Sequence, residues 1–266
     1  MSIAFRGLSC GLFLAAAVAW PHPAAAACSG DVSAVGSTTL DVAGLSRLFV
    51  VRKGSAVTGR TPAPVVLVFH PYGTGAQYME GRVSTRLWPA AIMVYPEGAS
   101  RPNSGYAPSW QRRAGELGDR DLQFFDAIVA WLTEHHCIDT TRIFAFGYSN
   151  GAGLASLLAC ERSDQLAGLA IASGRLACQP PHSKPVAITH GLGDASVAYA
   201  EGRRSALAWT SQNSCKAPPK MGAPGCFQAT GCSSAPVLMC TSPGGHEYSS
   251  AFTKPALELL QQVKPN

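Results

Sequence analysis

The stretch Arg142-Ile-Phe-Ala-Phe-Gly147-Tyr148-Ser149-Asn150-Gly151-Ala152-Gly153 constrains this chain more than any other. Its apolar run predicts a buried strand, and the residues after Ser149 predict a helix, with only a tight turn between them. A serine on such a turn leaves almost no room for neighbouring side chains. Gly147 and Gly151 remove Cβ atoms where backbones crowd. The turn exposes the Ser149 hydroxyl. The N–H of Asn150, at the start of the helix, points at negative charge developing beside it. G-x-S-x-G in this context predicts a nucleophile at Ser149 and an oxyanion donor at Asn150.

The rest of the chain alternates strand, loop and helix. Val65-Val-Leu-Val-Phe69 and Ala91-Ile-Met-Val-Tyr95 are continuous apolar runs, as central parallel strands buried on both faces require. Arg47–Val51, the Ile143 run, Leu169–Ala172, Val186–Thr189 and Val237–Cys240 read as further strands. From Asp119 to His136, Leu122, Phe125, Ile128, Val129 and Leu132 recur at helical spacing. Glu201–Gln212 and Ala256–Val263 also read as helices. The alternation predicts an α/β fold: a doubly wound, mostly parallel sheet with helices on both faces. Ligands of such sheets bind beyond the strands' carboxyl ends.

The loops at those ends hold the remaining candidates. His190-Gly-Leu-Gly-Asp194 follows the Val186 strand, and Thr241-Ser-Pro-Gly-Gly-His246 follows the Val237 strand. Ser149 is a poor nucleophile alone. His246 is expected to take its proton, and Asp194 to orient the imidazole and stabilise its charged form. Glu201 is the runner-up acid, but it falls in a helix. His70 and His190 each end a strand and are expected to hold loops by hydrogen bonds. The loop His70-Pro-Tyr-Gly-Thr-Gly75 should supply a second oxyanion donor. Pro71 has no N–H, which leaves Tyr72 or Gly73, with Tyr72 preferred. Trp110, Tyr106 and Tyr248, together with Tyr72, are candidates to line a substrate pocket.

Arg6, the apolar run from Leu8 to Trp20 and the alanines up to Ala27 read as a signal peptide spanning residues 1–27. That run is too short to cross a membrane. The expected mature chain, residues 28–266, is about 240 residues, enough for a single catalytic domain. The expected location is secreted or periplasmic. Of nine cysteines, Cys10 leaves with the leader, and the remaining eight suit disulfides in an oxidising compartment. Cys215, Cys226, Cys232 and Cys240 crowd into one C-terminal stretch, where bridges would staple loops. A lipid anchor on Cys28 is the alternative use of that residue. The net charge of +5 comes from basic residues scattered along the chain, which argues against nucleic-acid binding. No metal or other cofactor is expected, and the chain is expected to act as a monomer on an ester substrate.

Several segments together resemble carbohydrate esterase family 1, the group of exported esterases that includes feruloyl esterases, acetylxylan esterases and short polyhydroxybutyrate depolymerases. They are Asp121-Leu-Gln-Phe-Phe-Asp126, Cys137-Ile-Asp-Thr-Thr-Arg-Ile-Phe144, Gly147-Tyr-Ser-Asn-Gly151, His190-Gly-Leu-Gly-Asp194, Gly231-Cys232 and Gly244-Gly-His246. The run from Phe124 to Gly151 is closest to the feruloyl esterase branch. The resemblance implies an α/β-hydrolase fold and a metal-free triad of Ser149, Asp194 and His246. It implies a carboxylesterase acting on plant-wall feruloyl esters. A hydroxyalkanoate polyester depolymerase is the alternative, followed by an acetylxylan esterase or a non-catalytic surface protein on the same scaffold. Two positions depart from the family pattern: His70-Pro71 where many members have His-Gly, and Glu247-Tyr248 after the histidine.

Overall fold

No residue of the strand Ala63–Phe69 is exposed. A strand reaches that state only when neighbouring strands cover both edges and helices cover both faces. The computed structural model describes residue 28, residues 35–102 and residues 105–264. The expected leader, residues 1–27, lies outside them.

The strands are β1 (Gly36–Val42), β2 (Leu45–Lys53), β3 (Ala63–Phe69), β4 (Ile92–Pro96), β5 (Ala99–Ser100), β6 (Pro108–Ser109), β7 (Ile138–Tyr148), β8 (Gly168–Ala172), β9 (Val186–Gly191), β10 (Gly225–Gln228) and β11 (Val237–Ser242). Among the described residues, nine form one sheet in the order β1-β2-β4-β3-β7-β8-β9-β11-β10. From β4 to β11 the pairings are parallel. β1, β2 and β10 run antiparallel at the two edges. β5 and β6 make a small separate hairpin.

The helices are α1 (Ala76–Glu80), α2 (Arg120–His135), α3 (Asn150–Glu161), α4 (Tyr199–Gln212) and α5 (Thr253–Gln261). Side chains alternate across the sheet, so each strand feeds two cores. Val65, Leu67 and Phe69 pack with Leu122, Phe125 and Ile128 of α2, Leu154 and Leu158 of α3, and Trp209 of α4. Val66 and Val68 turn the other way, to Met79 of α1 and Leu257 and Leu260 of α5. The doubly wound sheet expected from the sequence is therefore present, with helices on both faces.

Sequence patterning did not reveal β1, β10 or α1. β1 alternates half-buried and exposed residues, as an edge strand does. β10 is four residues long and alternates in the same way.

Four disulfides join Cys28 to Cys137, Cys160 to Cys178, Cys215 to Cys232, and Cys226 to Cys240. Cys226 and Cys240 face each other in the β10–β11 register, so that bridge clips the sheet edge. The C-terminal loops are stapled as expected. The lipid-anchor alternative for Cys28 is overturned, because its sulfur is already bonded to Cys137 and offers no thiol to a lipid. Among the described residues, no helix is long and apolar enough to cross a membrane.

Candidate active site

β7 delivers Ser149 and α3 begins at the next residue, so the turn between them has no slack. Ser149 adopts φ 54° and ψ −115°, a strained conformation for a residue with a Cβ. Its N–H donates to Ala172 O at 2.8 Å, which ties the turn to β8. Glycine at 151 is a packing requirement. A Cβ there would lie 2.3 Å from Phe69 O and 2.6 Å from His70 O. The first turn of α3 thus rests directly on the end of β3.

Ser149 Oγ lies 2.8 Å from His246 Nε2. His246 Nδ1 lies 2.7 Å from Asp194 Oδ2, so three side chains from three loops form one continuous hydrogen-bonded chain. The Asp194 carboxylate has no exposed surface, while the His246 ring is partly open to solvent. Asp194 Oδ1 accepts the N–H groups of Ser196 and Val197 at 2.9 and 2.8 Å. Burial pushes the Asp194 carboxyl upward, but the His246 hydrogen bond and the Val197 N–H outweigh it and hold its pKa below the ordinary carboxylate range. The hydroxyl of Tyr148 donates to the His246 carbonyl and steadies the loop. Gly191 lets the two loops meet, since a Cβ there would sit 2.1 Å from Gly245 O.

The other titratable candidates lie apart from Ser149. Glu201 pairs with Arg204 at 2.6 Å. His70 is buried; its Nδ1–H donates to Pro71 O and its Nε2 accepts the Gly98 N–H, both at 2.8 Å. His190 Nε2–H donates to Val197 O at 2.8 Å, and the same nitrogen lies 3.4 Å from Asp194 Oδ2. Burial pushes both imidazoles below their ordinary pKa. Both histidines hold loops, as the sequence suggested.

The two expected oxyanion donors line the same cleft as Ser149. The Asn150 N–H is the first of α3 and has no intrahelical acceptor. In the other loop, Gly73 N–H is used by Pro108 O at 2.8 Å. That leaves Tyr72, whose N–H donates to no backbone or side-chain acceptor among the described residues.

No family model matches the chain. Feruloyl esterase D of Neurospora crassa is 29% identical over 218 residues, covering 75% of this chain and 71% of that protein. Feruloyl esterase B of Piromyces equi is 27% identical over 228 residues, again 75% of this chain but only 42% of the longer relative. Among solved structures, a CE1 ferulic acid esterase from Anaeromyces mucronatus in complex with ferulic acid superposes with a TM-score of 0.57 at 15% identity, covering 85% of this chain and 89% of that one. This chain is similar in sequence to feruloyl esterases and shares the α/β-hydrolase fold of the solved esterases.

Its relatives make it a carboxylic ester hydrolase. The cleft of this feruloyl esterase-like hydrolase is about 610 Å³ and is lined by Tyr72, Ser149, Asn150, Leu176, Val197 and, unexpectedly, Arg101, Arg112, Arg175 and Arg204. The sequence reading of basic residues as merely scattered is therefore corrected, because the fold gathers four of them around one site.

The aromatic expectations are also corrected, Tyr72 excepted. Trp110 is 0% exposed and cannot stack on a substrate. Its ring packs on Phe69 and His70, and its Nε1–H donates to His70 O at 2.8 Å. Its backbone N–H and carbonyl bind the Asn150 side chain at 2.8 and 3.2 Å, which fixes the loop against α3. Tyr248 packs on Phe146 and Tyr148, with its hydroxyl 2.5 Å from Thr253 Oγ1. Tyr106 is 90% exposed and lines a neighbouring groove with Gly73 and Tyr78 instead of the Ser149 cleft. A buried network supports the same loop from beneath. Arg47 binds Asp121 Oδ1 at 2.8 Å, and Asp121 Oδ2 accepts the Gln111 N–H at 2.7 Å.

Proposed function

We propose that this protein is an exported serine esterase that cleaves feruloyl or closely related plant-wall esters through an acyl-enzyme. The observation that carries this reading is the Asp194–His246–Ser149 hydrogen-bonded chain, with distances of 2.7 and 2.8 Å, beside the Asn150 and Tyr72 N–H groups, which have no acceptor among the described residues. Ser149 Oγ attacks the ester carbonyl and its proton passes to His246 Nε2. The carbonyl oxygen becomes an oxyanion held by the N–H groups of Asn150 and Tyr72. The carbon–oxygen bond to the alcohol breaks, and His246 returns the proton to that alcohol as it leaves. Water then attacks the acyl-enzyme, His246 takes its proton, and Ser149 recovers it as the carboxylic acid departs. Asp194 stays ionised throughout and stabilises the imidazolium. The disulfides support the export reading, because such bonds persist in oxidising compartments.

The test is hydrolysis of methyl ferulate by the oxidised protein, beside Ser149→Ala and a polyhydroxybutyrate suspension. Ferulate release that Ser149→Ala abolishes is the expected result. Polymer clearing alone would move the protein to the depolymerase reading, and release of acetate alone from acetylated xylan would make it an acetylxylan esterase. No hydrolysis, with no labelling of Ser149 by an active-serine phosphonate, would leave a non-catalytic protein on this scaffold.

A further inference from the structure

Four arginines line the Ser149 cleft, contributed from three places in the chain. Arg101 and Arg112 come from the segment between β4 and α2, Arg175 from the end of β8, and Arg204 from α4 after β9. Among the described residues, no carboxylate lines the cleft. Behind it, Glu116 binds Arg101 at 2.8 Å and lies 4.0 Å from Arg112, and Glu201 binds Arg204. Burial pushes Glu116 upward, but hydrogen bonds from Arg101 and the Arg112 N–H outweigh it and hold its pKa at about 2. Among the described residues, Glu116, Glu201 and the buried Asp194 are the carboxylates set against these four arginines, which leaves the cleft with an excess of positive charge. Arg175 and Arg112 are exposed, and Arg175 has no ion pair among the described residues.

We propose that this cleft selects esters that carry a carboxylate in addition to the ester bond. The proposal rests on the esterase reading above and narrows its substrate class. A neutral phenolic ester gives these arginines nothing to pair with. A carboxylate offers a planar acceptor that matches the guanidinium fork and draws substrate toward Ser149 through the field of the cleft. A uronate in the alcohol half of a wall polysaccharide ester, or a dicarboxylic acid in the acyl half, presents this chemistry. Guanidinium groups also stack on phenolic rings, but stacking gives no preference for charge. Charge selectivity therefore decides between the two uses.

The experiment compares kcat/KM within two pairs of esters at low ionic strength. Methyl ferulate against a feruloyl ester of galacturonate places the charge in the alcohol half. 4-Nitrophenyl butyrate against mono-4-nitrophenyl adipate places it in the acyl half. The expected result is a preference of about tenfold for the charged member of one pair. The preference should shrink in about 0.5 M salt, where screening acts within a few ångströms, and in Arg175→Gln/Arg204→Gln. A charged-to-neutral ratio at or below one in both pairs overturns the proposal. So does a preference that neither salt nor the double variant changes. If the wild-type protein cleaves none of the four esters, the esterase reading fails on its own account. Calorimetric titration with the ferulate pair then still decides recognition: tighter, arginine-dependent binding of the charged ester supports it, and equal binding or none overturns it.

Discussion

Replacing Trp110 with phenylalanine tests whether this tryptophan holds the site or touches the substrate. Phenylalanine keeps a ring against Phe69, whose centroid lies 5.4 Å away in an edge-on arrangement. It removes the Nε1–H that His70 O accepts at 2.8 Å. Leaving a buried carbonyl unpaired costs about 1–3 kcal/mol, and the ring atoms lost from a packed interior add about 1 kcal/mol. The variant should therefore be less stable by about 2–4 kcal/mol. For a chain of this size that lowers Tm by roughly 4–16 °C. His70 O lies two residues before Tyr72, so a slackened loop misplaces the Tyr72 N–H. Transition-state stabilisation then suffers before substrate binding does. kcat on methyl ferulate should fall while KM stays within about twofold. Thermal unfolding by near-ultraviolet circular dichroism and steady-state kinetics on the same preparation measure both. An unchanged Tm with KM raised about tenfold would put the indole against the substrate and refute the packing argument.

Asp194→Asn should keep the hydrogen bond to His246 but remove the charge that stabilises the imidazolium. kcat should fall by on the order of 10⁴-fold with little change in Tm, and a fall under tenfold would mean that another group orients His246. His70 and His190 have folded pKa values pushed below the unfolded value by burial. The unfolded chain thus binds more protons below about pH 6.5, and their contribution is complete above that pH and lost as pH falls. Urea titrations should show lower stability near pH 5.5 than near pH 7.5, and equal values would show that neither ring is buried neutral. Cys137→Ser opens a loop closed across a separation of 109 residues. It should cost up to about 4–5 kcal/mol in chain entropy, read as a lower Tm under oxidising conditions, and an unchanged Tm would show that the Cys28–Cys137 bridge constrains little.

The side chains that meet at Ser149 were legible because each sits beside a local signal. A glycine-flanked serine between an apolar strand and a helix has one mechanical solution, and the loops holding Asp194 and His246 each follow a strong strand run. Tyr72 could be narrowed only to one of two N–H donors, because the hydrogen bond that occupies Gly73 comes from Pro108, far away in sequence. Trp110 and Tyr248 read as loop aromatics, since sequence gives side-chain chemistry but not the direction in which a loop folds. Trp110 turned inward because His70 O needed a donor, and Tyr248 turned inward onto Phe146.

The sequence by itself determined the parallel sheet, the tight turn at Ser149 and the order of the residues proposed for chemistry. Hydrophobic period and steric limits at a turn act over a few neighbouring residues. The tertiary structure alone decided the cysteine pairing and the convergence of Arg101, Arg112, Arg175 and Arg204 on one cleft. Those positions share no local pattern. They meet because parallel strands all deliver their carboxyl ends to the same edge of the sheet, a property of strand order that no short window of sequence contains.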